Sequence, residues 1–102
     1  MPIMDTRLLR ALRKLKRDFP LRYPVRVKTS EVLTQDGHRL FGCVNKVNGV
    51  FAIVIQRHPD VSVQIDTLWH EWTHCLLWPQ CKYRHSSRFW ATYGRIYSHY
   101  QD

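Results

Sequence analysis

The stretch His70-Glu71-Trp72-Thr73-His74, set inside the apolar-periodic run from Val63 to Trp78, decides how the chain is read. It has the form H-E-x-x-H. Residues four apart lie one above the other on an α-helix, so His70 and His74 can present two imidazoles to one point. Glu71 falls about 100° further round at ~3.6 residues per turn, beside that point rather than on it. Two neutral nitrogen ligands, an open coordination position and a neighbouring carboxylate that takes a proton are the parts of a hydrolytic zinc site. The competing reading is a chance string in a core helix.

The flanks support a helix. Asp60 or Ser62 is placed to cap its start, and Pro79 closes it. Ile65, Leu68, Trp69, Trp72 and Leu76 form the side expected to face the core, with Thr67, His70, Glu71, His74 and Trp78 on the neighbouring side. Asp66, one turn before His70, is either a support for that imidazole or an acid favoured by the helix dipole. Further on, Ser86 or Ser87 can cap a last helix whose Phe89, Tyr93, Ile96 and Tyr100 make an aromatic stripe. Gly94 in that helix suggests a close approach to another element.

Before the motif, Thr6 to Arg17 reads as a helix, with Leu8, Leu12, Leu15 and Phe19 on one stripe, Asp5 or Thr6 as cap and Pro20 as stop. Val25 to Thr29 alternates as a half-buried strand, and Asp36-Gly37 marks a turn within Thr34 to His38. Arg39 to Val47 and Val50 to Gln56 are strands joined by Asn48-Gly49, a pair suited to the positive φ angles of a type I′ hairpin. The second of these is continuously apolar, which predicts cover on both faces. Gly42 reads as a bulge. His38 and His58 read as ordinary loop histidines. The expected class is α+β: an N-terminal helix, a small, mostly antiparallel three-stranded sheet, the H-E-x-x-H helix and a C-terminal helix, in one domain of 102 residues.

Composition narrows the partners. Hydrophobic residues make up 44% of the chain, which places it among folded globules rather than disordered chains. No apolar run approaches the ~18 residues of a membrane span, and the first residues lack the apolar core of a secretory signal. Three cysteines without C-x-x-C spacing fit a reducing cytoplasm better than a disulfide framework. The formal net charge of +8 makes non-specific binding of DNA or another polyanion a candidate property. Arg7, Arg10, Arg13, Lys14 and Arg17 on the first helix are its candidate face. The alternative is a solvated outer surface.

Two histidines do not complete a zinc site. After Glu71 the only acidic residue is Asp102, so a downstream glutamate ligand is excluded, and Leu77 and Gln80 break the longer H-E-x-x-H-x-x-G-x-x-H pattern. Cys75 points away from the ligand side and reads as a small buried apolar residue. His85, after a loop that can double back, is the first candidate for the third ligand; His99 and Cys81 remain open. Tyr93 or Tyr97 could donate to the oxyanion of a transition state, or could simply be core aromatics.

His70-Glu-Trp-Thr-His74 followed by His85-Ser-Ser-Arg-Phe89-Trp90 resembles the SprT-like zinc metallopeptidases and small phage-encoded proteins with the same minimal zincin core. The resemblance runs from about Val63 to Tyr97. It implies zinc on His70, His74 and His85, Glu71 as catalytic base, a protein or peptide substrate, and proteolysis linked to DNA. Ser86 stands where glycine is common in that family, and no zinc-ribbon segment follows within these 102 residues. The rival expectation is a basic nucleic-acid-binding protein with a structural zinc closed by a fourth ligand.

Overall fold

The computed structural model describes residues 4–80 and 84–101. Three helices and a mixed three-stranded sheet form an α+β body with a radius of gyration of 13.0 Å. That is about the value for a compact chain of ~100 residues.

Helix α1 spans Thr6–Asp18, with Asp5 as the cap: its carboxylate accepts from the Arg7 N–H at 2.8 Å. Leu8 and Leu15 are fully buried, and Phe19 follows as the C-cap. Strand β1 spans Val25–Ser30. The segment expected to be only a turn also pairs on either side of it, as β2 (Thr34–Gln35) and β3 (His38–Arg39). Asp36 and Gly37 hold φ of 51° and 80° at its tip. Strands β4 (Gly42–Val47) and β5 (Val50–Gln56) form the hairpin expected from Asn48-Gly49, which sit at φ of 51° and 76°.

The sheet order is β1-β5-β4. The β4–β5 pair is antiparallel, as expected for most of the sheet, whereas β1 runs parallel to β5. Phe51, Ile53 and Ile55 point towards the helices and are at most 1% exposed. The intervening residues of β5 are only half-buried. The expected double cover is therefore not found among the described residues: helices lie on one face, and the flanking strands provide the remaining shelter. Gly42 pairs with Ile55 in an unbroken register, so it marks no bulge.

Helix α2, Val61–Leu76, is capped by Asp60, which accepts from the Ser62 N–H at 2.9 Å. It packs on β4, β5, α1 and the last helix, α3 (Ser87–Tyr100). Trp72, one of the two unspecified positions of H-E-x-x-H, is fully buried and donates its indole N–H to the Phe19 carbonyl at 2.9 Å. The helix that carries the motif is thus tied to the end of α1. Among the described residues a Cβ at Gly94 would find nothing within 4 Å. The close approach expected of it is not made.

Candidate metal centre

One turn of α2 separates His70 from His74, and their ring centroids lie 5.2 Å apart. The third imidazole comes from the segment that opens α3. Ser86 caps that helix by accepting from the Phe89 N–H, and His85 stands just before the cap. Its Nε2 lies 2.9 Å from Nε2 of His70. Each of the three histidines offers a nitrogen within 4.8 Å of the others. Ligands ~2.0–2.1 Å from a tetrahedral zinc lie roughly 3.3 Å apart, inside this range, and an all-imidazole set suits that ion. The cluster can form a metal-binding site.

Phe89 forms the floor beneath it. Its ring is fully buried and its centroid lies 4.9, 4.5 and 4.7 Å from those of His70, His74 and His85. His85 precedes the Ser86 cap and Phe89 lies in the first turn of α3, so a single stretch of chain supplies both a ligand and the ring against which all three imidazoles pack, edge-on or tilted. Trp90 covers the outer side, half exposed, 5.5 Å from the His85 ring.

Burial, followed by the neighbouring His85 and His74, pushes the His70 pKa down to about 4, so this imidazole is neutral at pH 7, as a ligand must be. Glu71 is 6% exposed, and burial pushes its pKa up to about 7. Glu71 and the three histidines line one open groove of about 900 Å3. The opposite wall is the sheet edge at Gly42 to Asn45 and the apolar side chains of Leu33, Leu40 and Phe41. Although the chain has 16 lysines and arginines, none lines this groove among the described residues.

The other candidates fall elsewhere. His99 packs edge-on against Phe19 at 5.3 Å with its Nε2 3.3 Å from Asp18, so it is not among the clustered histidines. Cys75 is buried as expected, and burial followed by the Glu71 charge raises its pKa. Cys81 lies outside the described residues. His38 is exposed on β3, and His58 accepts the Asp60 N–H at the entry to α2.

Asp66 takes a hydrogen bond from the Tyr93 hydroxyl across the α2–α3 interface. Burial and then this bond raise the Tyr93 pKa. The Tyr93 ring lies 6.3 Å from His70, whereas Tyr97 is 45% exposed and packs on Trp69 at 5.9 Å. Arg7, Arg10, Arg13, Lys14 and Arg17 are all exposed on α1. Arg7 pairs with Asp5 and Arg17 with Asp18, exposed contacts that contribute little stability.

Sequence reasoning missed two residues of this site. Phe89 was legible as part of an aromatic stripe and in the His85-x-x-x-Phe89 spacing, but neither signal says that its ring packs against all three histidines. Gly42 was legible only as an interruption in a strand. No protein-family model, curated protein or solved structure matches the chain.

Proposed function

We propose that this chain is a zinc-dependent metallopeptidase, with His70, His74 and His85 as ligands and Glu71 as general base. The observation that carries the reading is the convergence of three imidazoles in an open groove that the buried Glu71 also lines. Zinc held there supplies Lewis acidity, which acidifies a water and polarises a scissile carbonyl. Glu71 takes the proton from the attacking water and returns it to the leaving amine. In the metal-free chain burial raises the Glu71 pKa to about 7, and a cation held by the histidines would draw it back towards the ionised form that a base needs. Of the two tyrosines Tyr93 has its ring 6.3 Å from His70, and its one O–H proton must leave Asp66 before it can reach a developing oxyanion.

The groove favours polypeptide over nucleic acid as the substrate. A phosphodiester chain attracts lysine and arginine, and the described lining has neither. Strand β4 is an edge of the sheet and forms one wall. In its antiparallel ladder with β5 the alternation turns the N–H and C=O of Gly42 and Val44 outward, where an extended peptide can add as a strand. From Val63 to His74 the groove follows α2 for about 16 Å at ~1.5 Å per residue, room for roughly five extended residues.

The resemblance to SprT-like peptidases points the same way. It also suggests substrates associated with DNA, for which the cationic side chains of α1, away from the groove, offer a non-specific contact. The rival, a nucleic-acid-binding protein with structural zinc, needs a closed four-ligand site. The three histidines line the open groove, which favours catalysis; of the two candidates for a fourth ligand, His99 packs on Asp18 and Cys81 lies outside the described residues.

The test compares wild type with Glu71→Gln for zinc content and for cleavage of an unfolded protein, with and without DNA. The variant should keep its zinc and lose about 10²–10⁴-fold in rate. A variant that keeps both zinc and full activity refutes the mechanism.

A further inference from the structure

Gly42 begins β4 where the strand passes beside α2. A Cβ built on it would stand 2.6 Å from Cγ2 of Thr67, 3.2 Å from the Val54 carbonyl oxygen and 3.3 Å from Cγ of Glu71. Carbon atoms attract at about 3.5–4.0 Å, so the first distance excludes even a methyl group unless something moves. Gly42 has no positive φ, in contrast to Gly37 and Gly49, and what its position demands is space rather than a turn. Thr67 is not free to yield. Its hydroxyl donates to the Val63 carbonyl at 2.7 Å, which leaves its methyl facing the strand, and the residue is 8% exposed.

Both side chains pressed on Gly42 belong to α2, and one of them is the proposed general base. We propose that Gly42 is a positioning residue: its missing side chain lets α2 seat against the edge of β4 and so sets Glu71, and the histidines that ride with it, against a peptide aligned on that edge. The inference rests on the hydrolytic reading given above. A methyl at position 42 opens the seat by about 1 Å to restore van der Waals contact. His70 and His74 move together with α2, so the metal site survives. What changes is the distance from the catalytic groups to the strand that aligns the substrate. A misplacement of ~1 Å can cost about 100-fold in rate.

The test is a double-mutant cycle on the full chain with Gly42→Ala, Thr67→Ser and the pair. Thr67→Ser deletes the methyl that meets position 42 and keeps the hydroxyl that bonds Val63. Zinc content, the thermal midpoint, and kcat and KM on an unfolded protein substrate are measured for all four proteins. Gly42→Ala should retain its zinc, melt lower, and lose roughly 10–100-fold in kcat with a smaller change in KM. In the Thr67→Ser background the same substitution should cost at least several-fold less. If Gly42→Ala alone does not fold, the pair is compared with Thr67→Ser. Equal losses in the two backgrounds, a loss that simply follows zinc content, or a kcat within twofold of wild type overturns the assignment. A zinc-loaded wild type that cleaves nothing refutes the hydrolytic reading instead. The thermal midpoints then decide on their own whether Gly42 is the seat, and additivity between the two substitutions says that it is not.

Discussion

Replacing Phe89 by leucine separates packing from preorganisation at the metal centre. The ring is fully buried and lies within 4.9 Å, centroid to centroid, of all three histidines. Leucine keeps the site apolar at nearly the same volume, so metal-free protein should lose only about 1–1.5 kcal/mol. For a domain of this size that is a fall of roughly 5–10 °C in the melting midpoint. The histidines, however, lose the ring against which their own rings pack, edge-on or tilted. Outer-sphere groups that orient ligands are typically worth 10–100-fold in metal affinity, or about 1.4–2.7 kcal/mol, and a similar loss is expected here. The assay is a zinc titration in competition with a chromophoric chelator, run beside urea unfolding of the metal-free protein. Affinity unchanged within twofold, with stability reduced as stated, would show that Phe89 is a core residue only. Phe89→Ala is the harsher control, at about 3–5 kcal/mol out of a total of about 5–15 for a native domain.

Further outcomes follow from the same contacts. His85→Ala should lose bound zinc while His99→Ala keeps it, measured by metal analysis after dialysis, because His99 packs on Phe19 and Asp18 rather than beside the other two ligands. Trp72→Phe removes the donor to the Phe19 carbonyl and should cost about 1–3 kcal/mol in urea unfolding, even though the position is unspecified in the motif. Asp18 accepts from Arg17 and from the Tyr100 hydroxyl at 2.9 Å, contacts that hold its carboxyl well below the usual range. A depressed folded pKa contributes stability that is complete above the unfolded value of ~3.9 and is lost as pH falls towards the folded one. Melting midpoints should therefore decline below about pH 4, and Asp18→Asn should flatten that decline; an unchanged slope would count against the bond network as its cause.

Local physics made much of the chain legible in order. The recurrence of Leu8, Leu12 and Leu15, the caps at Asp5, Asp60 and Ser86, and the Asn48-Gly49 turn all act within a few residues, so each element could be read where it stands. The same holds for His70, Glu71 and His74, whose relation is set by the geometry of one helix. Residues that act through distant partners were read less well. Gly94 and Gly42 look alike in sequence as isolated glycines, yet one faces open space and the other the side chains of α2. The apolar run of β5 does not say that helices lie on one face alone, because its outer residues gain their shelter from neighbouring strands.

The sequence by itself determined the H-E-x-x-H helix and the hairpin before it, since spacing along one backbone is enough to place those side chains. It left His85, His99 and Cys81 as candidates for the third ligand. Only the packing of α3 on α2 brought His85 to His70, 15 residues earlier in the chain, and carried His99 to Asp18. The parallel pairing of β1 with β5 likewise left β4 at the edge beside the histidines, with Gly42 as its contact to Glu71. These relations arise from the burial of apolar surface between elements far apart in sequence, a condition that no local pattern encodes.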